Sequence, residues 1–520
     1  MGSILILCLL AVFASKECCA QNASAAEHAS KGIALAKSRQ WPEAERELRA
    51  AVFADPKMAV YYAQLGSVLG LQEKWKEALE SFEKSVELDP QNVNFRRETA
   101  AVQWQLRRLD PAEKNLKYIL QSHPGDPGAT LLLGLVVEAH GDFATATKLL
   151  SSQFELVAAQ PERVSSLFHS AFQSGDEENI EKTVEVLRSH ESEATWTNTI
   201  GRCLQVALLG GDIETSQTLF QMISVENPKR AEIGLEVARL QYQKGKITDA
   251  QELLLKLAEH DDGSADVYAL LGNCYESQHQ FQSALQAYQR AIELDPSQIV
   301  HYGDLISLEL DLGRTDAAMD LANRARNFAP KDARAWVWKG NVELRTNAFQ
   351  DAQPSFLRAR ELDSTNPDAT LGLAGAKALA GSNEEAISEY KNGIARFPKD
   401  ARFYMACAAM YSAMPSALEL QSQTENLLEQ AIKLEPQSAE AHYQSGQLAV
   451  QQGKLQKAES ELVTSIKSDA SKSKTHFVLS GVYRRQGRSE DAAKEFAIYQ
   501  KLKSEEENET PMAATPVDKP

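Results

Sequence analysis

Residues 265–298 read ADVYALLGNCYESQHQFQSALQAYQRAIELDPSQ. Tyr268, Leu271 and Tyr275 fall at helical spacing in the first half, and Ala284, Tyr288 and Ala291 do so in the second. The stretch therefore reads as two amphipathic helices joined by a short turn, with Pro296 stopping the second. Gly272 and Ala284 are small where the two helices would cross, which lets their backbones approach.

The same pattern occupies residues 59–92 as Tyr62, Leu65, Gly66, Leu69, Ala78, Phe82 and Pro90. Rows of 34 residues written from Ala25 align the chain with itself. Fourteen repeats begin at Ala25, Ala59, Val93, Pro127, Pro161, Thr197, Ala231, Ala265, Ile299, Ala333, Pro367, Ala401, Ala439 and Ser473, and they run to Glu506. Twelve have 34 residues, the fifth 36 and the twelfth 38. Position 8 of most repeats is Gly or Ala, as in Gly32, Gly66 and Gly340, and position 20 is Ala in Ala44, Ala78, Ala352 and others. These residues resemble the tetratricopeptide repeat family, whose signature is W-x2-L-G-x2-Y, then A-x3-F, then P. The resemblance implies an all-α fold, a right-handed superhelical α-solenoid of about fourteen TPR-like helix-turn-helix repeats.

Departures from the pattern mark the expected weak joints. The fifth repeat has Phe168 and Ile180 where small residues are expected, the sixth has Leu204 and the ninth Ile306. A hinge is expected near residues 161–196. The four extra residues of the twelfth repeat fall around Pro415 and are expected to lengthen the turn between its helices.

The chain has 520 residues, 43% hydrophobic and 24% charged, with a formal net charge of -17. Such an excess of acid repels phosphate backbones and argues against nucleic acid as a partner. At the N-terminus, Ile4 to Phe13 form an apolar run too short to span a bilayer, followed by Cys18, Cys19 and Ala20. Residues 1–20 read as a signal peptide, lacking a basic start, with Gln21 as the new N-terminus. The expected location is exported, periplasmic or extracellular; a retained N-terminal anchor or a cytoplasmic chain is the alternative. No other run reaches spanning length, so no transmembrane segment is expected after the leader is removed. Residues 507–520, with Pro511, Pro516 and Pro520 among acidic residues, read as a disordered tail.

Motifs for chemistry are missing. Gly245-Lys246 and Gly453-Lys454 lack the remainder of a phosphate loop, and no H-E-x-x-H or G-x-S-x-G occurs. No catalytic residue, metal site or cofactor is therefore expected. Met405, Cys407, Met410 and Met414 gather four sulfur atoms, a pattern that suits Cu(I), but Cys407 and Met410 fall on the core-facing side and read as packing. Cys203 and Cys274 lie two repeats apart, too far for a disulfide, and read as free thiols.

The resemblance implies a groove lined by positions 2, 5, 9 and 12 of the first helices. There the chain places Trp104, Phe172, Leu208, Tyr242 and Leu310 at position 12, and Arg239, Asn273 and Asn341 at position 9. Trp104, Phe172, Arg239, Tyr242, Asn273 and Asn341 are the candidate peptide-binding residues. The family's carboxylate clamp is incomplete, because Asn273 and Arg334 match it but Ala269 and Trp338 do not. The expected function is a protein–protein interaction scaffold or adaptor, not an enzyme, that holds partner peptides or helices. An accessory factor for polysaccharide assembly or export, or a regulatory subunit of a separately encoded enzyme, are the alternatives.

Overall fold

The structure is a computed structural model that describes residues 23–259, 264–414 and 417–509. The leader and residues 510–520 of the tail lie outside the described residues. The chain divides into two compact bodies, one up to Lys244 and one from Gly245. The division falls inside the seventh repeat and not in the fifth, where the misfit Phe168 is fully buried.

In the N-terminal body the helices pair in chain order. They are α1 (Ala23–Lys37) with α2 (Trp41–Ala54), α3 (Ala59–Leu71) with α4 (Trp75–Leu88), and α5 (Val93–Gln105) with α6 (Leu109–Ser122). The fourth repeat has α7 (Pro127–Ala139), α8 (Phe143–Ser151) and α9 (Phe154–Ala158). Then follow α10 (Pro161–Ser174) with α11 (Glu177–Ser189), α12 (Thr197–Gly210) with α13 (Ile213–Gln221), and α14 (Arg230–Gln243).

The C-terminal body begins with α15 (Ile247–Glu259). It continues with α16 (Ala265–Ser277) and α17 (Phe281–Leu294), α18 (Val300–Asp311) and α19 (Thr315–Phe328), and α20 (Ala333–Arg345) and α21 (Phe349–Leu362). The remaining pairs are α22 (Pro367–Leu379) and α23 (Asn383–Arg396), α24 (Ala401–Ala413) and α25 (Ala417–Leu434), α26 (Ala439–Gln451) and α27 (Leu455–Ser468), and α28 (Ser473–Arg485) and α29 (Ser489–Glu509).

Local chemistry sets these boundaries. In several repeats the last residue caps the next first helix: Asp126 accepts from the Ala129 amide at 2.7 Å, and Asn366, Asp400 and Ser438 do the same for α22, α24 and α26. Each such cap contributes about 1 kcal/mol. The turn between paired helices puts its central residue in the left-handed region, met by glycine at Gly245 and Gly453 but by Glu73 (φ 61°) and His279 (φ 57°) elsewhere.

Packing explains the small residue at position 8. A Cβ on Gly66 would lie 2.9 Å from the Phe82 ring, and one on Gly340 would lie 2.7 Å from the Phe356 ring. The large side chain of the second helix thus seats on bare backbone of the first. Phe82 and Phe356 are fully buried, each stabilising by roughly 1.5–3 kcal/mol. Cys203, Cys274 and Cys407 are free and buried, and Cys407 packs with Phe403, Tyr411, Met410 and Met414.

Two devices join successive repeats. Position 4 bonds the carbonyl six residues back: Arg96 donates to Pro90 at 2.8 Å, Trp336 to Pro330 at 3.1 Å and Tyr404 to Pro398 at 3.2 Å. On the second helices, Glu45 pairs with Lys74 at 2.6 Å and accepts from Gln72 at 2.9 Å, and Glu425 meets Gln452 and Lys454 in the same relation.

Three details differ from the sequence reading. The extra residues of the twelfth repeat extend its second helix, since α25 has 18 residues where its counterparts have about fourteen. The second helix of the fourth repeat breaks after Ser151, where Ser151 and Ser152 hydroxyls bond the Lys148 and Leu149 carbonyls and compete with the helical ladder. Finally, α29 runs on to Glu509, beyond the expected start of the tail, with Lys501 and Glu505 paired one turn apart at 3.7 Å.

Candidate peptide-binding face

Each first helix leaves part of its surface outside the core, one stripe away from the residues that face the second helices. In the N-terminal body this stripe is broken. Helix α7 is apolar around its circumference and buries nine consecutive residues from Ala129 to Val137 between its neighbours. Trp104, half-buried near the end of α5, stands on one side of it, and its indole nitrogen has no hydrogen-bond partner among the described residues.

Beyond α7, Phe172 stacks on Phe168 at 5.9 Å, and its ring lies over Gly210 of the next first helix, where a Cβ could not fit. Part of this aromatic surface is therefore committed to joining the fifth and sixth repeats. Leu208 is half-buried and Leu209 beside it is 83% exposed. Tyr242 is half-buried on the last turn of α14, and Arg239 is exposed and paired with Glu236 at 3.0 Å, a surface ion pair of small energetic weight.

In the C-terminal body the stripe is more polar. The Tyr288 hydroxyl meets Asn273 Oδ1 at 2.6 Å and Glu276 Oε2 at 2.7 Å. One phenolic proton cannot serve two acceptors, so the Asn273 amide turned NH2-first completes a chain from Asn273 through Tyr288 to the Glu276 carboxylate. Gly272 lies beneath the same ring and leaves it room. The next first helix brings up Asp304, solvent-accessible and without an ion pair among the described residues. Partial desolvation by the neighbouring helices, then the Glu276 charge, hold its carboxyl above the usual range against the smaller opposing pull of His301. The Trp338 ring packs over Gly303, and Asn341 is exposed one turn further along α20.

Leu310 corrects the sequence reading. It is 7% exposed and belongs to the core around Tyr302 and Ile306, and Arg345 covers its carbonyl at 3.1 Å. Arg334, the partial match to the carboxylate clamp, is held by Asp332 through bonds of 2.8 and 3.1 Å. Glu276, Asp304 and the Tyr288 hydroxyl belong to this candidate face but were not named from the sequence, although Glu276 occupies position 12 of the eighth repeat. Asp304 sits at position 6, outside the stripe used for that reading, and Tyr288 comes from a second helix.

Among the described residues no group of three or more His, Cys, Asp or Glu side chains could hold a metal ion, and no helix is long and apolar enough to cross a membrane.

Three family models, each described as tetratricopeptide repeat, match the chain: one at residues 265–298, one at 343–410, and one at 30–93, 304–367, 425–474 and 446–507. Together they cover more than half of it. Small glutamine-rich tetratricopeptide repeat-containing protein 2 of Mycosarcoma maydis is 28% identical over 120 residues, 23% of this chain and 34% of that protein. BBSome complex member BBS4 of Bos taurus is 26% identical over 185 residues, 35% of each chain. The chain spans about a third of the length of these curated relatives. Among solved structures, yeast Tom70 matches with a TM-score of 0.39 and 14% identity, over 93% of this chain and 96% of that one. With the repeat read in residues, in packing and in the three family models alike, the chain belongs to the tetratricopeptide repeat family.

Proposed function

We propose that this protein is a scaffold or adaptor that binds peptides or helices of other proteins on the exposed stripe of its first helices, and that it is not an enzyme. The observation that carries the reading is Asp304. It is an exposed carboxylate beside the stripe, without an ion pair among the described residues, and partial burial, then the Glu276 charge, disfavour its ionised form. Polar groups spaced along an aromatic-containing stripe suit an extended peptide or a partner helix. A relative named as a complex member supports assembly as the task. The proposal includes export, resting on the apolar run from Ile4 to Phe13. Mass spectrometry of protein from its native source tests that part, since a chain retaining Met1 to Cys19 excludes cleavage near Gln21.

The binding reading is tested by affinity capture with the full chain and with Trp104→Ala, Tyr242→Ala and Asp304→Asn, after circular dichroism confirms the helices. Truncating a binding anchor lowers affinity by about thirtyfold, the equivalent of roughly 2 kcal/mol. Partners retained by all three variants but lost on changing the exposed second-helix face would place the interaction on the wrong side.

A further inference from the structure

In the last two repeats the carbonyl bond made at position 4 passes to histidine. His442 Nε2 lies 3.1 Å from the Pro436 carbonyl, and His476 Nε2 lies 3.1 Å from the Ala470 carbonyl. A carbonyl only accepts, so Nε2 of each ring carries hydrogen. The other ring nitrogen meets a carboxylate. His442 Nδ1 is 2.6 Å from Glu461 Oε2 in α27, and His476 Nδ1 is 2.6 Å from Glu495 Oε2 in α29. Both imidazoles are buried. The first repeat has the same pair 19 residues apart, His28 and Glu47 at 2.7 Å, but there the ring is half-buried and Lys31 shares the carboxylate.

Two bare acceptors cannot face each other at 2.6 Å, so each gap between ring and carboxylate holds a proton. With Nε2 already bearing hydrogen, this proton is one more than the unfolded chain keeps at neutral pH, where histidine, with an ordinary value of about 6.5, is mostly neutral and glutamate, at about 4.3, is ionised. The count does not depend on which atom the proton sits on, because it belongs to the pair. Lys457 of α27 and Tyr483 of α28 lie within electrostatic reach of Glu461 and Glu495 respectively, and Lys457 is itself bonded to Glu425. Helix α25 packs on α26 through Ala431 and Ala441, and α27 on α28 through Leu462 and Leu479. Neither contact brings a further charge into an ion pair with the imidazoles among the described residues.

We infer that these bridging protons latch the last two repeats, and that the C-terminal repeats loosen as pH rises above neutrality. Each ring ties its first helix both to the second helix of its own repeat and to the end of the repeat before, so losing the proton weakens both joins at once. The folded pair binds more protons than the unfolded chain, and its stabilising effect therefore falls with rising pH. That effect is complete below about pH 6.5, and above it each pair shifts the opening equilibrium by up to about tenfold per pH unit. Trp336 makes the same carbonyl bond without a group that titrates, so the repeat of α20 and α21 lacks the latch.

The test is amide hydrogen exchange of the full chain between about pH 6.5 and 8.5, expressed as protection factors against the intrinsic rate at each pH. Protection in α26 to α29 is expected to fall by at least about tenfold across this range while that in α20 and α21 stays level. The double substitution Glu461→Gln, Glu495→Gln lets an amide donate to the bare Nδ1 of a neutral ring, and should remove the pH dependence. Level protection in the original chain, or an unchanged slope in the double variant, would overturn the latch. Nitrogen NMR of the full chain labelled in its histidines needs no substitution, so a variant that folds poorly cannot obscure the answer. At pH 7, two rings should show Nδ1 carrying or sharing a proton; two Nδ1 signals of the bare, neutral form would equally overturn it.

Discussion

Glu459 Oε1 accepts a hydrogen bond from the Arg488 guanidinium at 2.6 Å, across the joint between the last two repeats, while Gln486 donates to the other carboxylate oxygen at 3.0 Å. Glu45 with Lys74 and Glu425 with Lys454 repeat this arrangement at other joints. The Arg488 bond holds the Glu459 carboxyl below the usual range. A carboxyl depressed in the folded state stabilises fully above its unfolded value of about 4.3 and ceases to do so as pH falls through the folded value. Protection factors of the amides in α28 and α29, taken against the intrinsic exchange rate at each pH, are therefore expected to fall below about pH 4. Glu459→Gln should flatten that dependence, and an identical pH profile in the variant would show that the joint does not rely on this pair.

Gly272→Ala is expected to destabilise the C-terminal body by about 1–3 kcal/mol, because the methyl would meet the Tyr288 ring. The ring cannot easily retreat, since its hydroxyl is tied to Asn273 and Glu276. Urea unfolding measures the loss. Exchange should rise first in α16 and α17, given that repeats contact mainly their neighbours.

Glu73 holds φ at 61° in the turn between α3 and α4, a conformation that costs a side-chain-bearing residue about 1–2 kcal/mol. Glycine removes that strain but has more conformational freedom to lose on folding, worth about 0.4–1 kcal/mol. Glu73→Gly should therefore stabilise by about 0.5–1 kcal/mol, seen as a higher midpoint in urea. A lower midpoint would show that the Glu73 side chain makes a contribution outweighing its strain.

Burial pushes the Cys203 thiol up to about 12, so the thiolate that reacts with disulfide reagents is scarce at pH 8 in the folded chain. Labelling of the Cys203 peptide, followed by mass spectrometry, is expected to be at least about a hundredfold slower than in the unfolded chain and to report opening of the sixth repeat. Labelling as fast as in the unfolded chain would mean that α12 is not packed as described.

The repeat was legible because its register rests on steric exclusion: Gly66, Gly272 and Gly340 leave room for Phe82, Tyr288 and Phe356, and few other residues can take their place. The break after Ser151 was not legible, because serine side chains bond helix carbonyls only in some contexts and the fourth repeat keeps its 34-residue length across the break. Pro415 suggested a longer turn; it lies outside the described residues, whereas α25 with its 18 residues is longer than its counterparts. The binding stripe was legible only as a set of positions. Whether a side chain on it is free depends on the neighbouring repeat, and so Leu310 is buried, Phe172 is partly covered by Gly210, and Asp304 stands open at a position outside the stripe.

The burial of α7 has a consequence for valency. With the side chains from Ala129 to Val137 buried, the proposed binding stripe of the N-terminal body reduces to two short stretches: one at Trp104, the other at Leu208 and Tyr242. A partner that engages both needs two separate motifs joined by a spacer, and the second contact then forms at the effective concentration set by that spacer. Shortening the spacer below the span should abolish the avidity outright, whereas lengthening it should weaken binding only gradually. Either motif alone would bind as a weak, rapidly exchanging monovalent ligand.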